Sequence, residues 1–125
     1  MILEKICLFD PTVFTKIDPS LLKEGTINIP YINELVSNKM FFGCLKSSYR
    51  DIGGFLTVDL VKASHRILNF EWDGDYIYGD VEILKTPYGD VLTKNIDNVK
   101  FAPRLLINFN YCRLITFDAT LIKYL

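Results

Sequence analysis

The sequence predicts an α+β domain, mostly antiparallel β, with two short helices. Three observations carry that prediction. A stretch of alternating apolar and polar residues turns back at Asp73-Gly74, two segments open on a helix-starting proline, and two apolar runs close the chain. Half of the 125 residues are hydrophobic, 14% are aromatic and the formal net charge is −1, which fits one packed domain over residues 1–125. That charge balance offers no basic field to nucleic acid. No apolar run reaches membrane-spanning length, and "MILEKICLFDP" is too short and too charged for a signal peptide. The chain is therefore expected to act inside a cell, with no membrane partner. Cys7, Cys44 and Cys112 are an odd number without metal spacing, and read as small buried hydrophobes in a reducing compartment.

The elements follow in order. "MILEKICLF" reads as a strand that stops at Asp10-Pro11. Residues 12–28 lack periodicity and contain Asp18-Pro19 and Gly25, so they read as an irregular crossing segment. "NIPYINELVSNKM" places Pro30 at a first helical position and Ile32, Leu35 and Val36 on one face, with Asn38 as a left-handed stop. "MFFGCLKSS" is an apolar strand running into a polar loop that ends at Gly53-Gly54. In "HRILNFEWDGDYIYGDVEIL", Leu68, Phe70 and Trp72 alternate with Ile67, Asn69 and Glu71. Gly74 suits the positive φ of a two-residue turn, and Tyr76 to Leu84 is the return strand. In "TPYGDVLTKNID", Thr86 is the N-cap, Pro87 sits at N1, Asp90 lies in the first turn, and Val91, Leu92 and Ile96 form the inner face. "KFAPRLLINF" and "YCRLITFDATLI" are two strands joined near Asn110.

The order of these pieces resembles the prohead proteases of tailed bacteriophages. In that family an "SH" opens a strand, a hairpin passes through "YG" into "IL.TP.G", and a helix follows. Here the corresponding pieces are Ser64-His65, Tyr78-Gly79, Ile83-Leu84, Thr86-Pro87 and Gly89. Upstream, Gly43 and Leu45 match the family's "lGeLdHp", and downstream Thr116-Phe117-Asp118 match its "tFD" strand. The resemblance covers residues 30–120 and implies a curved β-barrel or sheet like that of the herpesvirus assembly proteases. It also implies a role in head maturation, with a serine nucleophile activated by a histidine.

Carried over residue by residue, that chemistry is missing. The family's "SSR" falls on Ala102-Pro103-Arg104, and neither Ala102 nor Pro103 can attack a carbonyl. The family histidine falls on Ser47, which is no base near neutral pH. Arg104 alone survives, from a region the family uses to hold the substrate carbonyl oxygen. It reads as a tether to a carboxylate such as Asp118, or to backbone carbonyls.

His65, the only histidine, reads as a hydrogen-bonded structural residue, against a dyad with Cys44, Ser47 or Ser48. One histidine and dispersed carboxylates give no metal spacing, and no cofactor is implied. The acids of "EWDGDYIYGD" read as a turn and a solvent face, against a cation site. The aromatics Phe41, Phe42, Phe70, Trp72, Tyr76 and Tyr78 read as core and hairpin packing. Trp72, Tyr76 and Tyr78, with Arg104, are the alternative candidates for an interface.

The expected function is that of a non-catalytic, head-associated subunit of the phage virion, assembled in the host cytoplasm. It would bind capsid or scaffold proteins, with self-association as a further option. An atypical maturation endopeptidase and a soluble inhibitor of a host protein are the alternatives.

Overall fold

In the computed structural model the described residues are 1–46 and 57–124. The predicted polar loop, with Ser47, Ser48 and Gly53-Gly54, lies outside them. The elements are β1 (Ile2–Phe9), α1 (Pro19–Gly25), α2 (Ile29–Ser37), β2 (Phe42–Lys46), β3 (Ala63–Ile67), β4 (Glu71–Asp73), β5 (Tyr76–Ile83), α3 (Pro87–Lys94), β6 (Val99–Asn108) and β7 (Tyr111–Leu121). They form an α+β domain on one mixed sheet, in the order β1-β5-β3-β2-β7-β6, with β4 also paired to β5. Every pairing is antiparallel except β2 with β7, which run parallel. The sheet curls until β1 lies alongside the first half of β6, where Leu3 and Ile6 approach Val99 and Phe101. Leu8, Phe9, Ile67, Val81, Leu92 and Phe117 are wholly shielded from solvent and mark the core.

Among the described residues three α-helices stand where two were expected. The extra one, α1, lies inside the segment read as irregular. Asp18-Pro19 is its opening, because the Asp18 carboxylate accepts from the Ser20 amide and Pro19 stands in the first turn. Only Leu22 of this helix is buried, so no periodic stripe betrays it. Helix α2 stops one residue later than expected. Asn38 has φ −89°, and Lys39 takes the left-handed position at φ +56°. The Lys39 amide donates to the Val36 carbonyl and the Met40 amide to Leu35, the paired closure of a Schellman end. On α3, Thr86 caps the Gly89 amide as its sequence predicts. Val91 is nevertheless 46% exposed, and Gly89 with Leu92 forms the inner face.

The predicted strand through Leu68, Phe70 and Trp72 is broken. Its ends, β3 and β4, both pair with β5, and the register slips by one residue between Ile67↔Val81 and Glu71↔Tyr78. Opposite, β1 bulges at Lys5, which has φ +49°. One carboxylate serves both irregularities. Asp80 accepts from the Lys5 amide at 2.9 Å and from Asn69 Nδ2 at 2.9 Å, while its own amide donates to Asn69 Oδ1. These bonds, the Asn69 one first, hold the Asp80 carboxyl below its ordinary pKa. Asp80 was expected on the solvent face; it is a half-buried structural acceptor. At Gly79 a Cβ would sit 2.1 Å from the Asn69 carbonyl oxygen, so the close approach requires glycine.

Candidate functional site

The residues that the sequence singles out meet where β3, β2, β7 and β6 lie side by side. Across β6 and β7 the register pairs Ala102 with Asp118, Pro103 with Phe117 and Arg104 with Thr116. Pro103 is tolerated in a sheet because, among the described residues, β6 has a strand partner on one side only.

Arg104 points inward. Its Nε donates to Asp118 Oδ2 at 2.8 Å and its Nη2 to Asp118 Oδ1 at 2.9 Å, a two-pronged ion pair with Asp118 2% exposed. Its Nη1 donates to the Thr57 carbonyl at 2.8 Å. Both kinds of tether weighed for Arg104 are therefore made. Asp118 also accepts from the Cys44 amide at 3.1 Å and lies 3.3 Å from Lys46 Nζ. Burial alone would raise the Asp118 pKa, but the Arg104 hydrogen bonds and charge, with Lys46 and the Cys44 amide, bring it below the ordinary carboxylate value. For Arg104, burial opposes the charge and Asp118 outweighs it, so its pKa rises.

His65 is wholly buried on β3. Its Nε2 lies 2.8 Å from the Phe117 carbonyl, which can only accept, so Nε2 carries the proton. The neutral ring then accepts at Nδ1 from the Ser64 hydroxyl, also 2.8 Å away. Burial lowers the His65 pKa, only partly countered by the Phe117 carbonyl and Asp118, which keeps the ring neutral. The Phe101 ring meets it edge-on at 5.1 Å. At Gly43 a Cβ would come 2.3 Å from His65 Nε2, so this glycine makes room for the imidazole.

Ser64 on His65 is a hydroxyl–imidazole contact of the kind that activates serine, and sequence reasoning passed over Ser64 as a candidate. Both residues are 0% exposed, so this contact lies within the core. His65 and Arg104 bind neighbouring parts of β7, the Phe117 carbonyl and the Asp118 carboxylate respectively.

Cys44 is half-buried beside Asp118. Burial first, then the carboxylate, raises its thiol pKa, the wrong direction for a nucleophilic thiolate. All three cysteines are free; Cys112 is fully buried, whereas Cys7 and Cys44 are only partly so, which corrects the uniform burial expected of them. Among the described residues no cluster of three or more metal-ligating side chains forms. No helix among them is long and apolar enough to cross a membrane.

Of the candidate interface residues, Trp72, Tyr76 and Tyr78 sit on the β4–β5 hairpin, whereas Arg104 lies on β6 and is only 9% exposed, which places it in the sheet's interior and not on an interface. Trp72 is half-buried, meets the Phe9 ring edge-on at 6.3 Å and carries Lys23 Nζ 5.0 Å from its ring centre. Tyr76 and Tyr78 stack with centroids 6.1 Å apart.

The chain is similar to the capsid assembly protease gp21 of bacteriophage T4, with a TM-score of 0.59 and 25% sequence identity, over 82% of this chain and 68% of that one. The fold is similar to that of a phage prohead protease. No protein-family model matches the sequence, and neither does any curated protein. The resemblance drawn from Ser64-His65, Tyr78-Gly79 and Thr86-Pro87 thus extends to the course of the backbone.

Proposed function

We propose that this chain is a non-catalytic, protease-fold subunit of a tailed-phage head that acts by binding capsid or scaffold proteins. The observation that carries this reading is Ala102-Pro103, where the resemblance expects the nucleophilic serine, on a fold like that of a capsid assembly protease. Two further features support it. The Arg104 guanidinium is spent on Asp118 and the Thr57 carbonyl, and both nitrogens of the only histidine are occupied by Ser64 and Phe117. On this reading the core strands persist because the scaffold still presents a binding surface. Trp72, Tyr76 and Tyr78 on the β4–β5 hairpin are candidate contacts.

The test is quantitative mass spectrometry of purified mature particles. A fixed, high copy number of the intact chain is expected. Its absence from the particle would remove the subunit reading and favour a soluble inhibitor of a host protein. Cleavage of a scaffold protein by the purified chain, abolished by His65→Ala, would instead make it a maturation endopeptidase.

A further inference from the structure

We propose that the tyrosine-bearing face of the β4–β5 hairpin docks a basic segment of a partner protein. That segment is extended and carries arginine or lysine at alternate positions. The inference rests on the binding-subunit reading above and adds to it the chemistry of the partner.

The antiparallel register sets the face. Glu71 pairs with Tyr78 and Asp73 with Tyr76, so these four side chains share one side of the hairpin, while Trp72 and Ile77 share the other. Tyr76 and Tyr78 stack nearly parallel, with 15° between their planes. Both are half-buried, whereas Glu71, Asp73 and the turn residue Asp75 are exposed. Residues 71–80 hold four acids and no base. One of the four, Asp80, is spent on Lys5 and Asn69. Among the described residues the other three carboxylates make no hydrogen bond or ion pair; the ion pairs lie at Lys46–Asp118, Arg66–Glu82 and Arg104–Asp118. The Tyr78 hydroxyl pKa is raised by partial burial and then by Cys7, Asp73, Tyr76 and Asp10, so the carboxylates of Asp73 and Asp10 are felt at this ring.

The nearby cations of the chain are engaged elsewhere. Lys23 reaches the hairpin on its Trp72 side, where Nζ stands 5.0 Å from the ring centre and donates to the Gly74 carbonyl at 2.8 Å. One ammonium is thus already seated on an aromatic ring of this hairpin. Lys100 acts on Asp10, which Thr12 also holds.

Charge and spacing select the occupant. Carboxylates pair with cations, and tyrosine rings hold them over their faces. A metal ion needs several ligands gathered at one point, and among the described residues no three ligating side chains converge. The acids are instead strung along a strand. Positions two apart on a strand are separated by about 6.6 Å. Glu71 to Asp73 and Tyr78 to Tyr76 therefore repeat at the interval at which an extended segment presents alternate side chains. Cations at that interval meet a carboxylate and a ring at each step. Arginine suits the face best, because its flat guanidinium stacks on an aromatic while it bonds a carboxylate.

An NMR titration of the isotope-labelled full chain tests the proposal. The probe is a peptide in which arginine alternates with serine, added at low salt. Amide shifts concentrated at residues 71–78 are expected, with binding that weakens as salt is added. A peptide with glutamate in place of arginine should leave the spectrum unchanged. The double variant Glu71→Gln/Asp73→Asn keeps the shape of the face and removes its charge, and should weaken binding by at least about fivefold. Tyr78→Leu, or Tyr76→Leu should the former unfold, keeps the charge and removes a ring, and should weaken it about threefold. No binding, shifts centred elsewhere or spread over the whole surface, or binding indifferent to either kind of variant overturns the proposal. Its failure is separable from that of the head-subunit reading. A chain absent from the particle that still binds the peptide here sinks the subunit reading alone, and a particle-bound chain that ignores the peptide sinks this one alone.

Discussion

Arg104 and Asp118 form the pair on which this part of the sheet most depends electrostatically. Removing one partner leaves the other charge in a site built for both, so Arg104→Leu should destabilise the domain by about 3–5 kcal/mol, read as a shift of the urea midpoint. The double variant Arg104→Leu/Asp118→Leu should recover most of that loss, because an apolar pair leaves no buried charge unpaired. A double variant as unstable as the single would mean that the guanidinium's bond to Thr57 matters more than its charge. His65 gives a pH dependence of defined sign. Its folded pKa is lowered by burial, so the unfolded chain takes up the proton first, below about 6.5. The stability of the neutral ring is complete above that pH and is lost as pH falls toward the folded pKa, at up to about 1.4 kcal/mol per pH unit. Thermal melts between pH 7.5 and 5.5 should show the fall, and His65→Gln, which has no titratable group, should flatten it. Asp118 acts lower. Its depressed pKa means that its contribution holds above the ordinary carboxylate value of 3.8 and fades on acidification below it. Arg104 could be paired with Asp118 from the sequence because a lone arginine in an apolar strand demands a carboxylate, and the neighbouring strand offers one. The burial of Ser64 and His65 could not, since it depends on Phe101 and Gly43 from other strands.

At the scale of elements, local chemistry was readable where it was self-contained. Thr86-Pro87 marks the start of α3 because cap and first turn are contiguous. Asp18-Pro19 carries the same signal for α1, but Gly25 and the scarcity of apolar residues masked it. The break between β3 and β4 was hidden because Leu68, Phe70 and Trp72 keep their alternation through it; what interrupts the ladder is Asn69 bonding to Asp80, 11 residues further along the chain. Two substitutions probe these devices. Lys39→Gly should stabilise the protein by roughly 0.5–1 kcal/mol, since glycine takes the left-handed position closing α2 without the strain a side chain brings. Gly79→Ala should cost about 2 kcal/mol or more, because its Cβ would meet the Asn69 carbonyl and cannot be relieved by a rotamer change. Both are read from thermal melts, and a neutral Gly79→Ala would mean that the β3–β4 break is pliable.

At the scale of the whole molecule, the fold class and the phage-protease resemblance were legible because hairpin, capped helix and closing strands come in a distinctive order. The sheet order was not, since β1 with β5 and β2 with β7 join strands far apart in sequence. The non-catalytic reading yields a sharp expectation here: Ala102→Ser should produce no peptidase activity on a scaffold substrate, because no free imidazole nitrogen faces that position. Turnover by that variant, lost again on His65→Ala, would overturn the reading.

The same long-range pairing has a consequence during synthesis. β1 leaves the ribosome first, yet its ladder partner Glu82 lies 80 residues after Ile2. At about 5–20 residues per second, the first strand waits roughly 4–16 s for a neighbour, with Leu8 and Phe9 uncovered. β2 waits about as long for β7. A nascent chain of this protein therefore has a period of vulnerability set by translation speed, during which a chaperone that holds apolar strands should raise the yield of folded product.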